Sequence, residues 1–312
     1  MKPPFSHDEP RLTDSDFRMF AELVRSYAGL EFGDESRFVL ERRLHRRLRA
    51  LELGSVAAYH YRLRDSTLGG GELMNLVDEL TTNETYFFRE LNQLRALIHE
   101  IFEELKVERV GKSARPINVW SAGCSSGEEP YSIAMMAREA GLQPGVDVRI
   151  YASDISTRVL SKAREGVYRE ASFRETDPHL RDKYFVEKNQ TWRISDELKK
   201  DVDFIHLNLL DRSKIALLGT MDVVLCRNVI IYFNINTKCK VIQTFYEKLR
   251  PGGHLLLGHS ESLINLSTSF ELRHLRNDLV YRRPLPGMEP TDPWHLAAEA
   301  AIVTSEDSGG FE

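Results

Sequence analysis

From Ile117 onward the chain alternates short apolar runs with helical segments, and this alternation restricts its fold more than any other feature. Ile117 to Trp120, Val148 to Ala152, Phe204 to Leu207, Met221 to Cys226 and His254 to Gly258 are strand candidates rich in β-branched and aliphatic residues. Glu128 to Ala140, Arg158 to Arg164 and Lys238 to Leu249 read as helices between them, the last stopping at Arg250-Pro251-Gly252-Gly253. Strands and helices in this order predict an α/β domain with a parallel sheet covered on both faces. Residues 167–200 break the rhythm. There Tyr184 to Glu187 and Thr191 to Ile194 flank a Lys188-Asn189-Gln190 turn, which predicts a small antiparallel insertion. Upstream, Thr13-Asp14-Ser15-Asp16 carries helix-start chemistry, and Leu40, Leu44, Leu48 and Leu51 share one helical face. The chain therefore divides into a loose arm (1–12), a small all-helical domain (13–90, broken once at Gly69 to Gly71), the α/β domain (91–283) and a mostly disordered tail (284–312) with a short helix at 294–301.

Composition excludes several function classes. A chain of 312 residues, 42% hydrophobic and 29% charged, buries a core without disulfide or metal staples. Its three cysteines include no CxxC pair, so neither a disulfide framework nor a metal site is expected. The net charge of −5 weighs against a nucleic-acid partner. No apolar run approaches the ~20 residues of a membrane span, and the opening MKPPFSHDEPR lacks the apolar stretch of a secretory signal. A cytoplasmic monomer without membrane insertion is expected.

The chemistry concentrates in Val119-Trp120-Ser121-Ala122-Gly123-Cys124-Ser125-Ser126-Gly127-Glu128-Glu129-Pro130-Tyr131-Ser132, a glycine-bearing turn from strand to helix. It lacks the third glycine of a dinucleotide fingerprint. Glu128 and Glu129 at the helix entrance would repel a pyrophosphate and favour a neutral or cationic ligand. S-adenosylmethionine suits them, having a sulfonium and no phosphate. Asp154, 31 residues after Gly123, ends the second strand, where nucleoside-binding sheets place an acid for the ribose hydroxyls. The same turn also reads Gly-x-Ser-x-Gly, the nucleophile elbow of serine hydrolases, with Ser125 as nucleophile and Asp222 with His254 or His259 completing a triad. No HGGG-type partner loop precedes it.

Further motifs separate these readings: TTNETYFFRE (81–90), YASDIS (151–156), LNLLD (207–211), VLCRNVIIYF (224–233) and LRPGGHLLLGHSES (249–262). With the Gly-Ser turn, and in this order, they resemble the CheR family of chemotaxis-receptor glutamate O-methyltransferases over about residues 13–283. The resemblance implies a helical N-terminal domain followed by a Rossmann-like methyltransferase sheet with an inserted antiparallel subdomain. It implies that Asn83, Thr85, Arg89, Glu128, Asp154, Asn208, Leu209, Asn228 and Val229 hold S-adenosylmethionine, leaving S-adenosylhomocysteine as product. Arg89 and Tyr232 would place the acceptor carboxylate. A glutamate with a free pKa near ~4.3 is ionised at neutral pH, so no strong base is needed. Positioning and partial desolvation of the charged nucleophile would carry the rate.

Residues 35–49 hold Arg37, Arg42, Arg43, Arg46, Arg47 and Arg49 against Glu35 and Glu41, whereas residues 1–90 as a whole are net acidic. With the leucines turned inward, Arg42, Arg43, Arg46, Arg47 and Arg49 are expected to meet an acidic helical segment of the receptor's cytoplasmic domain. Some family members dock on a receptor C-terminal pentapeptide through a glycine-rich loop in the insertion. The short Lys188-Asn189-Gln190 turn predicts a pentapeptide-independent enzyme. A serine hydrolase, or a non-catalytic scaffold of the same fold, is the alternative.

Overall fold

The computed structural model describes residues 12–64, 69–108, 115–276 and 278–288. The expected short helix at 294–301, residues 1–11 and the tail beyond 288 lie outside them. Leu12, assigned to the arm, is packed: it is buried and its N–H donates to Glu41 (2.9 Å). At the other end, Pro284 is buried rather than free.

Four helices open the chain: α1 (Asp14–Ala28), α2 (Arg37–Ala50), α3 (Val56–Arg64) and α4 (Gly69–Leu80). Thr13 caps α1 in a reciprocal box with Asp16. Leu40, Leu44 and Leu48 of α2 pack with Phe17, Phe20, Val24, Tyr59 and Leu76 in one core, as their spacing required. Two expectations are corrected here. Gly69 to Gly71 open α4 instead of only interrupting a helix, and helix ends at Leu80, so Thr81–Glu90 is irregular. Phe88 and Glu90 adopt left-handed backbone conformations, which α-helix cannot continue through.

The arginine face is also corrected. Arg47 forks onto Glu72 (2.9 and 2.8 Å), which also accepts from the Tyr59 hydroxyl (2.8 Å); Glu72 is only 4% exposed. Arg43 donates to the carbonyls of Glu79 and Thr81 at the end of α4. Both side chains are thus committed inside the helical domain, because their helical phase points them at α4. Arg42, Arg46 and Arg49 are exposed.

Next come α5 (Leu91–Ala96), a π-turn (Leu97–Ile101) and α6 (Phe102–Val107). The α/β unit then runs β1 (Ile117–Ala122), α7 (Glu128–Glu139), β2 (Val148–Asp154), α8 (Thr157–Glu165), β3 (Val167–Tyr168), α9 (Pro178–Tyr184), β4 (Phe185–Lys188), β5 (Thr191–Ile194), α10 (Asp196–Lys199), β6 (Val202–His206), α11 (Arg212–Ala216), β7 (Met221–Cys226), α12 (Ile235–Lys248), β8 (Leu249–Leu257), β9 (Glu271–His274) and β10 (Leu279–Arg282). The main sheet has the order β6-β2-β1-β7-β8-β10-β9. Its first five strands are parallel; β10 and β9, which no sequence signal above marked, add antiparallel. Strand order turns back between β1 and β7, and that is where such sheets open a crevice at their carboxyl ends. Ile117 and Val119 face one core while Trp120 and Ala122 face the other, so both sides of the sheet are covered.

β8 starts at Leu249, so Arg250 to Gly253 belong to the strand and not to a turn. The pairing slips between Met221 and Val223 on β7, and an irregularity there tolerates Pro251, which has no N–H to give. The inserted sheet is β3-β5-β4, with Asn189 and Gln190 both at positive φ in a tight turn. Gly29 closes α1 at φ +76, and a Cβ there would lie 2.7 Å from Thr237 of α12, so only glycine lets α1 dock so closely.

Candidate active site

A cavity opens at the carboxyl ends of β1, β2, β6 and β7, roofed by Thr81–Tyr86 and Arg89, by Ala28 at the end of α1 and by Leu30 beyond it. The roof is stitched down. The Asn208 amide donates to Tyr27 O (2.6 Å), Glu31 N to Tyr232 O (2.9 Å), and Asn234 to Glu31 (3.0 Å). Thr157 and Arg158 of α8 hold Asp78 at the end of α4 (2.9 and 2.7 Å).

Gly123 lies on the floor at φ +86, and a Cβ there would come within 2.4 Å of Val229. Ser125, also at positive φ, donates its N–H to Asp154 Oδ2 (2.9 Å); Asp154 Oδ1 accepts from Ser156 N (2.9 Å). Asp154 is 8% exposed, and burial pushes its carboxyl above the ordinary aspartate range despite these donors. It does not cap α8; Ser156 does, accepting from Val159 N. Asp154 therefore shapes the turn and borders the cavity at once.

Arg227, in the turn after β7, has a side chain 2% exposed and joins three segments. It donates to Glu90 (2.9 Å), to Glu129 (3.0 Å) and to the carbonyl of Arg89 (2.5 Å). Glu129 also accepts from Ser121 (2.6 Å) and borders the cavity. Burial is the largest influence on Glu90 and would raise it, but the charge and hydrogen bond of Arg227, together with His259, outweigh it and hold the carboxyl below the ordinary glutamate range. Phe88 N donates to Ser132 (2.9 Å), so the backbone of Arg89 is clamped on both sides. Glu261, following β8, accepts from the N–H groups of Asn228 (2.7 Å), Gly258 (2.8 Å), Val229 (3.0 Å) and Ile231 (3.2 Å). It thereby folds the segment that carries Asn228, Val229 and Tyr232.

Two models of protein families match the chain: "CheR methyltransferase, all-alpha domain" over residues 15–81 and "CheR methyltransferase, SAM binding domain" over 83–278. The chain belongs to the CheR methyltransferases. Among curated relatives it is 37% identical over 278 residues to chemotaxis protein methyltransferase 2 of Vibrio cholerae, covering 88% of this chain and 95% of that one. It is 37% identical over 267 residues to the chemotaxis protein methyltransferase of Escherichia coli (84% and 89%). The Borreliella burgdorferi protein of the same name is 35% identical over 255 residues (81% and 89%).

This is then a methyltransferase whose cofactor is S-adenosylmethionine. The cavity fits that molecule. Asp154 and Glu129 offer carboxylates to hydroxyls and positive charge, and Leu30, Leu207, Leu209 and Val229 offer apolar wall to a purine. Of the residues that the resemblance implied, Asn83, Thr85, Arg89, Asp154, Asn208, Leu209, Asn228, Val229 and Tyr232 all border this cavity. Glu128 does not. It is 2% exposed, and its carboxylate accepts from Ser126 (2.8 Å) and Ser172 (3.1 Å) beneath the inserted subdomain. One residue along α7 is a turn of about 100°, so Glu129 faces the cavity instead.

The hydrolase triad does not assemble. Asp222 is the second residue of β7, roughly 13 Å of strand below the cavity, and accepts from Arg250 (2.7 Å) and Asn118 N (2.8 Å). His254 pairs in register with Val223 at that same lower end, is buried, and its pKa is pushed down to about 3 by burial. His259 points to Asp278 (3.4 Å). Among the described residues no histidine borders the cavity. Arg227, Glu90 and Glu261 received no role from the sequence, and Glu129 only a share, with Glu128, in favouring a cationic ligand. Arg227 lies in the quoted VLCRNVIIYF run and Glu261 in GHSES, but nothing in either run says that its charge turns inward.

Proposed function

We propose that this methyltransferase esterifies glutamate side chains on the cytoplasmic domain of chemoreceptors, acting in the cytoplasm without needing a receptor C-terminal pentapeptide. The observation that carries this reading is the joining, in one cavity, of a nucleoside-type end at Asp154 with a guanidinium and a phenol, Arg89 and Tyr232, beside the outer turns. Tyr232 is 36% exposed, so it can meet a protein side chain arriving from solvent. S-adenosylmethionine supplies a sulfonium-bound methyl that a carboxylate oxygen takes by in-line displacement, leaving a methyl ester and S-adenosylhomocysteine. Arg89 holds the acceptor carboxylate against its charge and Tyr232 donates to one of its oxygens, leaving the other free to react. Asp154 takes the ribose hydroxyls and Glu129, rather than Glu128, the cationic end. Asn83, Thr85, Asn208, Leu209, Asn228 and Val229 line the rest. The names of the curated relatives support a chemosensory role.

With labelled S-adenosylmethionine and a receptor cytoplasmic fragment, the protein should transfer methyl groups that alkali releases as methanol, the signature of a carboxyl ester. A fragment lacking its last five residues should be modified at the same rate, because the Asn189-Gln190 turn offers no docking loop. Alkali-stable label would exclude a glutamate ester.

Arg42, Arg46 and Arg49 recur at helical spacing on the exposed side of α2 and would meet an acidic segment of the receptor. Arg46 is 3.6 Å from Glu79, with a side chain 52% exposed. Reversing Arg42 and Arg46 to glutamate should raise the KM for receptor about tenfold, more at low salt, and leave affinity for S-adenosylhomocysteine unchanged. Arg47 is unsuitable for this test, since its loss would uncover Glu72.

A further inference from the structure

Beside the cavity mouth a second guanidinium shares a ring with Arg89. Arg174 follows the 3-10 turn Glu170–Phe173 of the inserted subdomain, and its guanidinium carbon lies 3.6 Å from the centroid of Tyr86. That of Arg89 lies 5.7 Å from the same centroid. Tyr86 and Arg89 border the cavity. The turn that carries Arg174 is rigidly tied to the cavity roof. Phe173 packs in the aromatic cluster of Phe87 and Phe185 (centroids 5.1 and 4.9 Å away), Ser172 O accepts from Phe87 N (2.9 Å), and Ser172 Oγ donates to Glu128 (3.1 Å).

The charge of Arg174 is met by Glu84 (3.0 Å) in a pair whose side chains are 46% and 70% exposed. An ion pair so open to water is weak, and a competing carboxylate displaces it at little cost. A guanidinium stacked on an aromatic ring keeps its fork of donors available at its edge. Building on the methyl-transfer reading above, we infer that Arg174 binds a second carboxylate of the acceptor, adjacent to the one that is methylated, with Glu84 holding the place until the acceptor arrives. The shared ring keeps Arg174 and Arg89 close together. Two acidic residues one helical turn apart, with Cβ atoms ~5–6 Å from each other, could engage one guanidinium each. The inserted subdomain thereby becomes part of substrate selection at the site itself. The ligand class is a protein segment bearing paired carboxylates.

The test compares Arg174→Glu, Arg174→Lys and Glu84→Gln in the full chain with a receptor cytoplasmic fragment, alongside calorimetry with S-adenosylhomocysteine. Arg174→Glu should raise KM about tenfold or more at low salt with cofactor affinity unchanged. Arg174→Lys should recover part of it, lacking the planar fork. Glu84→Gln should lower KM by freeing Arg174. A purely structural pair would instead make Glu84→Gln resemble Arg174→Glu, and that result, or an unchanged KM in Arg174→Glu, overturns the inference. If the unaltered protein transfers no methyl to the receptor fragment, the functional reading itself fails and the inference falls with it.

Discussion

Asp154→Asn should weaken S-adenosylhomocysteine binding about 10- to 100-fold in a calorimetric titration. Hydrogen bonds to a charged group contribute ~1.5–3 kcal/mol, and each ~1.4 kcal/mol is a factor of ten. Asparagine keeps the shape and an acceptor for one of the two N–H groups of Ser125 and Ser156, which bond different oxygens of Asp154, so the charge is lost with a single donor left unpaired. Asp154→Ala would mix this effect with two buried donors left unpaired. The pH dependence gives an independent check. Burial raises the Asp154 carboxyl above its ordinary 3.8 in the free protein, and a ligand held by the ionised form draws it back down. Affinity is then constant well above that raised pKa and falls as pH drops through it. Asp154→Asn should lose this acid limb; a limb of equal size in the variant would assign the titration to another group.

Arg227→Met should lower unfolding free energy by about 3–5 kcal/mol, because it strands the mostly buried Glu90 and Glu129 without their shared cation. Chemical denaturation reads this directly. Adding Glu90→Gln and Glu129→Gln should return most of the stability, since removing a whole buried charge cluster costs far less than removing one partner. Failure of the triple variant to recover would mean that Arg227 acts by shape alone. The sign of the pH effect differs between the two proteins. In the unaltered chain Glu90 sits below its ordinary 4.5. Its contribution is present above that value and is lost as pH falls through the depressed one. In Arg227→Met the pKa of Glu90 rises, so the variant is relatively more stable in acid and loses ground as pH rises through it. Activity should fall as well, because Arg227 holds the Arg89 carbonyl (2.5 Å).

Much of what borders the cavity was legible because its parts are local in sequence. Gly123, Ser125 and Asp154 sit at strand ends, where apolar runs stop and turn chemistry begins, and β7 was bounded correctly at Met221 and Cys226. The errors share one cause. Glu128 and Glu129 have the same chemistry and neighbouring positions, and a rotation of about 100° about α7 decides which one borders the cavity. Arg43 and Arg47 looked like surface charge until α4 was packed across them, bringing the carbonyl of Glu79 to one and the carboxylate of Glu72 to the other. The strand start at Leu249 was hidden because Arg250-Pro251-Gly252-Gly253 carries turn residues that a slipped pairing with β7 accommodates.

The sequence by itself determined the two-part architecture and the parallel sheet, since periodicity and spacing are properties of neighbours along the chain, and its ordered motifs carried the family resemblance. Tertiary structure alone decided which charges are spent inside and which are left for ligands. Arg227 meets Glu90 across 137 residues of chain, and Glu261 meets the N–H of Asn228 across 33. Whether a charge is buried and paired or solvated depends on those distant partners, and no local pattern encodes them.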